Sequence, residues 1–229
     1  MTRHDGRRAD QMRDVRVEVD TQRNPAGSAT VRFGETTVLC AVSVEDGAPG
    51  FRSPGGWLTA EYSMLPGATS SRVRRDRNGP SGRAKEIERL VGRSLRSAVD
   101  LDALGDVTFT IDCDVLEADG GTRTAAITGG WVAVARALRS LGLEHALTGQ
   151  VCAVSVGIVD GEVVLDLDYP EDSRASVDMN VVATADGRIV EVQGTAEGVP
   201  FTRVEHDALL DLALAGCARL AEQQTQVLA

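Results

Sequence analysis

The sequence predicts an α+β layered fold, with mixed or antiparallel sheets packed on helices. Three observations predict it. Val107, Phe109, Ile111, Cys113 and Val115 alternate with Thr108, Thr110, Asp112 and Asp114, the two-residue period of a half-buried strand. Ile87, Leu90, Val91, Leu95 and Ala98 instead recur at helical spacing. Asp160-Gly161 and Asp186-Gly187 each join two apolar runs as hairpin turns.

Taken in chain order, alternation predicts strands at Val15–Val19 and Ala29–Phe33, then Thr36–Val44 after a Gly34-Glu35 turn. A Gly/Pro-rich stretch leads to a short strand near Trp57–Tyr62. Residues 66–82 carry Ser, Gly, Pro and Arg with almost no apolar side chain, the composition of an exposed loop. A helix starts near Ser81 or Gly82, and the strand Val107–Leu116 follows. After Gly120-Gly121 a helix is predicted over about Thr124–Leu141, with Ile127, Val132 and Leu138 on its apolar side. The hairpins pair Val151–Val159 with Glu162–Leu167 and Met179–Ala183 with Ile189–Gln193. A long helix over about Val204–Gln223 closes the pattern.

Aromatic residues make up only 3% of the 229 residues, so the core rests on Val, Leu, Ile and Ala. The net charge of −10 runs against a generally basic nucleic-acid binder. Cys40, Cys113, Cys152 and Cys217 are widely spaced, with no CxxC pair and no His at ligand spacing. They read as small buried hydrophobes of a reducing compartment. The N-terminal residues are polar and lack the apolar stretch of a secretory signal, and no apolar run is long enough to cross a bilayer. The expectation is a soluble cytoplasmic protein with no membrane partner. His4, His145 and His206 show no spacing to a nucleophile, and neither GxSxG nor HExxH occurs, which disfavours acyl transfer and zinc hydrolysis.

Four features carry candidate chemistry. Gly120-Gly121-Thr122-Arg123 follows a strand and opens a helix, where free backbone N–H groups and the helix dipole favour an anion. Thr122 adds a hydroxyl and Arg123 a bidentate fork. The same residues also suit an ordinary strand-to-helix turn with Thr122 as its N-cap. Arg83 stands in the first turn of the preceding helix, where the dipole opposes a cation unless an anion lies between. Asp166, Asp168, Glu171, Asp172 and Asp178 gather carboxylates that repel unless a cation joins them; Mg²⁺ needs only one or two. A solvated acidic turn is the plainer reading. Finally, Arg72, Arg74, Arg75 and Arg77 cluster on one loop of an acidic chain, either as a grip for a phosphate backbone or as a solvated charge run.

Longer runs carry a resemblance. Asp112-Cys-Asp-Val-Leu-Glu-Ala-Asp-Gly-Gly-Thr-Arg-Thr-Ala-Ala-Ile-Thr-Gly129 resembles the central signature of the ribonuclease PH family. Leu58-Thr-Ala-Glu-Tyr-Ser-Met-Leu-Pro66, Glu171-Asp-Ser-Arg-Ala-Ser-Val-Asp-Met-Asn-Val-Val182 and Glu191-Val-Gln-Gly-Thr-Ala-Glu-Gly198 are similar to it too, as is the opening from Arg7 to Arg13. The motifs stand in order along residues 1–229, as in a single domain of this type. Exosome ring subunits are relatives, but the Asp-Gly-Gly-Thr-Arg-Thr form favours ribonuclease PH.

The resemblance implies a two-layer βαβα fold of the ribosomal-protein-domain type, built as two similar halves. It implies a phosphorolytic 3′→5′ exoribonuclease acting on tRNA precursors and other RNA 3′ ends, in a homohexamer that is a trimer of dimers. Inorganic phosphate as co-substrate is then held by Arg83, Gly121, Thr122 and Arg123. Asp172 and Asp178 take part in catalysis and bind Mg²⁺ or Mn²⁺. Arg72, Arg74, Arg75 and Arg77 grip RNA. Two rivals stay open: a ring subunit that binds RNA without activity, and a metal-dependent hydrolytic nuclease.

Overall fold

The computed structural model describes residues 3–52, 54–75 and 79–229. The first sheet is mixed. Strands β1 (Val15–Val19), β2 (Gly27–Phe33) and β3 (Thr36–Asp46) form an antiparallel meander. Strand β4 (Trp57–Met64) is followed by helix α1 (Gly82–Arg96), which packs on it, and then by β5 (Val107–Glu117). β5 lies between β3 and β4, antiparallel to the first and parallel to the second, giving the order β1-β2-β3-β5-β4. As its alternation predicts, β5 buries Phe109, Ile111, Cys113 and Val115 on one face.

Helix α2 (Thr122–Ser140) then runs through the middle of the molecule, against β2 and β3 on one side and β6 (Val151–Val159) on the other. It is buried on nearly every face, which explains its richness in Ala and Gly and its lack of a clear polar stripe. Close approach also dictates its neighbours. A methyl group on Gly27 of β2 would stand 2.3 Å from the carbonyl oxygen of Ala133.

The second sheet is antiparallel, in the order β7-β6-β8-β9. It holds β6, β7 (Glu162–Leu165), β8 (Val177–Thr184) and β9 (Ile189–Ala196). Helix α4 (Arg203–Leu228) packs across β6, β7 and β8. β6 is buried along its whole length. One continuous apolar core joins both sheets through α2. All four cysteines are buried free thiols. Cys40 and Cys113 face each other across β3 and β5, where the Cys40 thiol and burial push the Cys113 thiol well up.

The expected elements are all present, α4 running on to Leu228, and the differences nearest the site are these. β7 ends at Leu165 rather than Leu167, because Asp166 takes a left-handed backbone conformation (φ 55°) that breaks the strand. The one-turn helix α3 (Tyr169–Asp172) was not legible from spacing; Asp168 caps it and Glu171 closes a capping box. α2 begins two residues early, at Thr122, because Gly121 rather than Thr122 is its N-cap.

Candidate active site

The site grows from the turn between β5 and α2. Gly120 and Gly121 both adopt positive φ, at 75° and 66°, a pair of left-handed residues that only glycine adopts without strain. Gly120 also has no room for a side chain, since a Cβ there would lie 2.7 Å from the carbonyl oxygen of Leu167. The turn is thereby pressed against the backbone that leads into α3. Thr36 braces it, accepting from the Asp119 N–H at 2.8 Å and donating to the Gly120 carbonyl at 2.7 Å.

α2 therefore presents the N–H groups of its first turn, with Thr122 and Arg123 beside them. Tyr62 of β4 donates to Thr122 Oγ1 at 2.8 Å. Arg123 donates to Glu86 Oε1 of α1 at 3.1 Å and to Gln193 Oε1 of β9 at 3.2 Å, so it ties both halves of the chain together. Arg83 stands in the first turn of α1, a helix capped by Ser81 whose first turn holds no acidic residue. Its guanidinium makes no ion pair or hydrogen bond among the described residues.

Asp172 and Asp178 lie in the field of both guanidinium groups. Burial raises the Asp172 carboxyl, and Arg83, Arg123 and Arg13 pull it back. Burial and the neighbouring Asp172 push Asp178 up to about 6, against the pull of Arg123 and Arg83. Arg83, Arg123, Asp172 and Asp178 thus lie within electrostatic reach of one another, and Tyr62, which donates to Thr122, lies in the field of both arginines. Neither carboxylate has a hydrogen-bond or ion-pair partner among the described residues. An exposed Asp172 and a partly buried Asp178, mutually repelling hard-oxygen ligands without partners among the described residues, fit a divalent cation of the Mg²⁺ type.

The other three acids of the sequence cluster behave differently. Asp166, Asp168 and Glu171 are met by arginines of the N-terminal segment. Arg3 holds Glu171 through two nitrogens and also donates to the carbonyls of Leu165 and Asp166. Arg7 reaches Asp168 at 3.2 Å and Glu171 at 3.3 Å. Arg13 donates to Asp166 from its backbone N–H at 2.8 Å, from Nε at 3.0 Å and from Nη2 at 2.7 Å, and its Nη1 donates to the Asp119 carbonyl. Within the acidic cluster of the sequence, these three carboxylates are met by buried arginines rather than by solvent.

The arginine loop borders the same site. Val73, Arg74 and Arg75 line a cleft of about 400 Å³ together with Tyr62, Ser81 and Arg83. Arg72 is exposed next to them, and Arg75 partly offsets the raised Asp114 carboxyl. Arg77 lies outside the described residues. Sequence reasoning missed Arg13, Tyr62, Glu86 and Gln193. Arg13, Tyr62 and Gln193 sit inside runs that carried the resemblance; Glu86 had no signal of its own.

The arrangement brings an anion cradle, carboxylates suited to a cation and a basic cleft together, as phosphoryl transfer requires. Comparison with known proteins shows the family. Residues 11–139 match the family model of the 3′ exoribonuclease family, domain 1, and residues 149–216 match domain 2. Ribonuclease PH of Saccharopolyspora erythraea is 54% identical over the whole chain and 95% of the relative. Ribonuclease PH of Frankia casuarinae is 56% identical over the whole chain and 94% of the relative. Among solved structures, rice (Oryza sativa) Rrp46 superposes with a TM-score of 0.83 at 21% identity, covering 99% of this chain and 100% of that one. The Archaeoglobus fulgidus exosome with RNA bound to the active site superposes with a TM-score of 0.82 at 24% identity, covering 96% of this chain and 92% of that one. These two share the fold. Identity above one half along the full length goes further: the chain belongs to the ribonuclease PH family of 3′ exoribonucleases.

Proposed function

We propose that the protein is a phosphorolytic 3′→5′ exoribonuclease that trims the 3′ ends of tRNA precursors and other RNA. The observation that carries this reading is that Asp172 and Asp178 lie within electrostatic reach of both Arg83 and Arg123, beside the N-terminus of α2.

Inorganic phosphate binds against Arg83, Gly121, Thr122 and Arg123. Among the described residues Arg83 has no hydrogen-bond or ion-pair partner, and Arg123 meets the exposed Glu86 and the neutral Gln193, so both have donors to offer. The RNA strand enters past Arg72, Arg74, Arg75 and Arg77, which hold its backbone electrostatically. A phosphate oxygen attacks the last internucleotide phosphorus. The new P–O bond forms as the bond to the 3′ oxygen of the penultimate nucleotide breaks. A nucleoside diphosphate leaves, and the proton brought by hydrogen phosphate ends on the departing oxygen. Asp178, paired with Asp172, is the carboxyl that relays it. The two guanidinium groups are fixed before reaction and offset charge as it spreads over the phosphate oxygens. Asp172 and Asp178 would hold Mg²⁺ or Mn²⁺, which supplies further charge neutralisation at the reacting phosphate. Because a phosphoanhydride bond of the nucleoside diphosphate replaces the phosphodiester that breaks, excess nucleoside diphosphate drives the reverse extension of the 3′ end.

The chain acts as a single domain, since α2 belongs to the cores of both sheets. The assembly is a homohexameric ring, a trimer of dimers, in the cytoplasm. No helix among the described residues is long and apolar enough to cross a membrane.

A thin-layer assay of labelled RNA, with and without phosphate, tests the reading. Nucleoside diphosphates that appear only with phosphate are the expected products. Monophosphates released without phosphate mean a hydrolytic nuclease, and no release at all means an RNA-binding ring subunit; either result rejects the proposal. Sedimentation of the purified chain tests the ring.

A further inference from the structure

We infer that Tyr62 is a positioning residue of the phosphate site, which orients the Thr122 hydroxyl so that its proton points at the bound anion. This rests on the reading of Arg83, Thr122 and Arg123 as the phosphate cradle.

Parallel pairing of β4 with β5 sets Tyr62 opposite Cys113 and brings its phenol to the N-terminus of α2. The phenol donates to Thr122 Oγ1 at 2.8 Å, and the two side chains are only 5% and 8% exposed. A threonine hydroxyl has one proton to give and two lone pairs to accept with. Here one lone pair is taken by Tyr62, and no backbone or side-chain group among the described residues receives the Thr122 proton. The hydroxyl is not spent on capping, because Gly121 is the N-cap and makes no side-chain bond. The proton is therefore left for a ligand beside the helix N-terminus.

Tyr62 lies within the field of Arg83 and Arg123 and lines the cleft that holds Arg83, Arg74 and Arg75. Burial pushes its phenol up, so it remains a donor across the working pH range. An anion that accepts from Thr122 completes a chain running from phenol to hydroxyl to phosphate oxygen. Each bond in such a chain polarises the next. Phe at position 62 would keep the ring and its packing but let the Thr122 hydroxyl rotate away.

The test is calorimetric titration of the intact protein with inorganic phosphate, comparing Tyr62→Phe, Thr122→Val, the double variant and Arg123→Ala. Tyr62→Phe is expected to raise the phosphate Kd about fivefold, the size of one neutral hydrogen bond. The phosphate KM should rise by a similar factor, while kcat and the RNA KM stay within about twofold. In the double variant the Tyr62→Phe change should add nothing to the loss caused by Thr122→Val, since the group it orients is gone. A merely structural phenol would lower the melting temperature and leave the phosphate Kd unmoved. An unchanged phosphate Kd in Tyr62→Phe, or an additive loss in the double variant, overturns the assignment. Arg123→Ala separates the two levels. If it binds phosphate like the parent, the cradle itself is misread; if it loses phosphate while Tyr62→Phe keeps it, only the role of Tyr62 fails.

Discussion

Arg13 grips Asp166 with its backbone N–H, Nε and Nη2, and its remaining nitrogen donates to the carbonyl of Asp119 in the glycine turn. Asp166 is wholly buried and sits at φ 55°, a conformation that this clamp maintains. One side chain from the N-terminal segment thus spans the turn that offers the anion cradle and the stretch that leads to Asp172. Arg13→Met should cost about 3–5 kcal/mol of stability, because it strands a buried carboxylate. Arg13→Lys should cost less and still impair phosphorolysis. Urea unfolding measures the first effect and the ± phosphate assay the second; a Met variant as stable as the parent contradicts the clamp.

The Asp178 carboxyl sets a pH dependence of the metal-free protein. Its folded value of about 6 stands above the ordinary 3.8, so the fold disfavours the ionised form. The penalty is absent below about pH 4, grows as the pH rises through 6 and is complete above. Stability of the metal-free chain from this group therefore falls between about pH 4 and 7. Asp178→Asn should remove the penalty and stabilise the metal-free chain at pH 8 by roughly 1–3 kcal/mol, discounted for partial solvent access. At pH 4 the gain should vanish. Equal gains at both pH values would show that Asp178 titrates as an ordinary carboxyl. Saturating Mg²⁺ should shift the Asp178 titration, followed by NMR, to lower pH.

Arg123→Ala is expected to reduce phosphate-dependent decay by about 100-fold, the scale for loss of a preorganised charge at a reacting oxyanion. RNA binding should remain within about threefold of the parent, because Arg123 sits at the cradle rather than on the arginine loop. Gel-shift and decay assays run on the same preparation check both. Normal turnover by this variant removes Arg123 from the mechanism.

Replacing Arg74 and Arg75 with Ala should act in the opposite sense. RNA affinity should weaken, and the slope of log affinity against log salt should shrink by about 0.7 per lost contact with a single strand. The phosphate Kd should not move. A salt slope identical to the parent's would leave the loop as a solvated charge run.

Much of this architecture is legible in one dimension. The alternation in β5, the helical spacing of α1 and the Asp-Gly turns are local patterns, so the strands, helices and sheet-on-helix class follow from them. Arg83, Thr122, Arg123, Asp172 and Asp178 were recognisable because each stands in a short run whose residue types already suggest its chemistry. Where local chemistry was ambiguous, spacing alone did not separate the alternatives. Asp166, Asp168 and Glu171 look like Asp172 and Asp178 in the sequence, for a carboxylate does not record what will stand opposite it.

Only the tertiary structure decided that division. Folding carries Arg3, Arg7 and Arg13 more than 150 positions along the chain to neutralise the first three acids, and leaves Asp172 and Asp178 without hydrogen-bond or ion-pair partners among the described residues. It also sets Tyr62 against Thr122, and Glu86 and Gln193 against Arg123. The sequence by itself determined the elements and the chemical kinds of the site residues, because those depend on near neighbours. Which charges are paired and which stay available for a ligand depends on contacts between distant segments and on burial, and these exist only once both sheets close around α2.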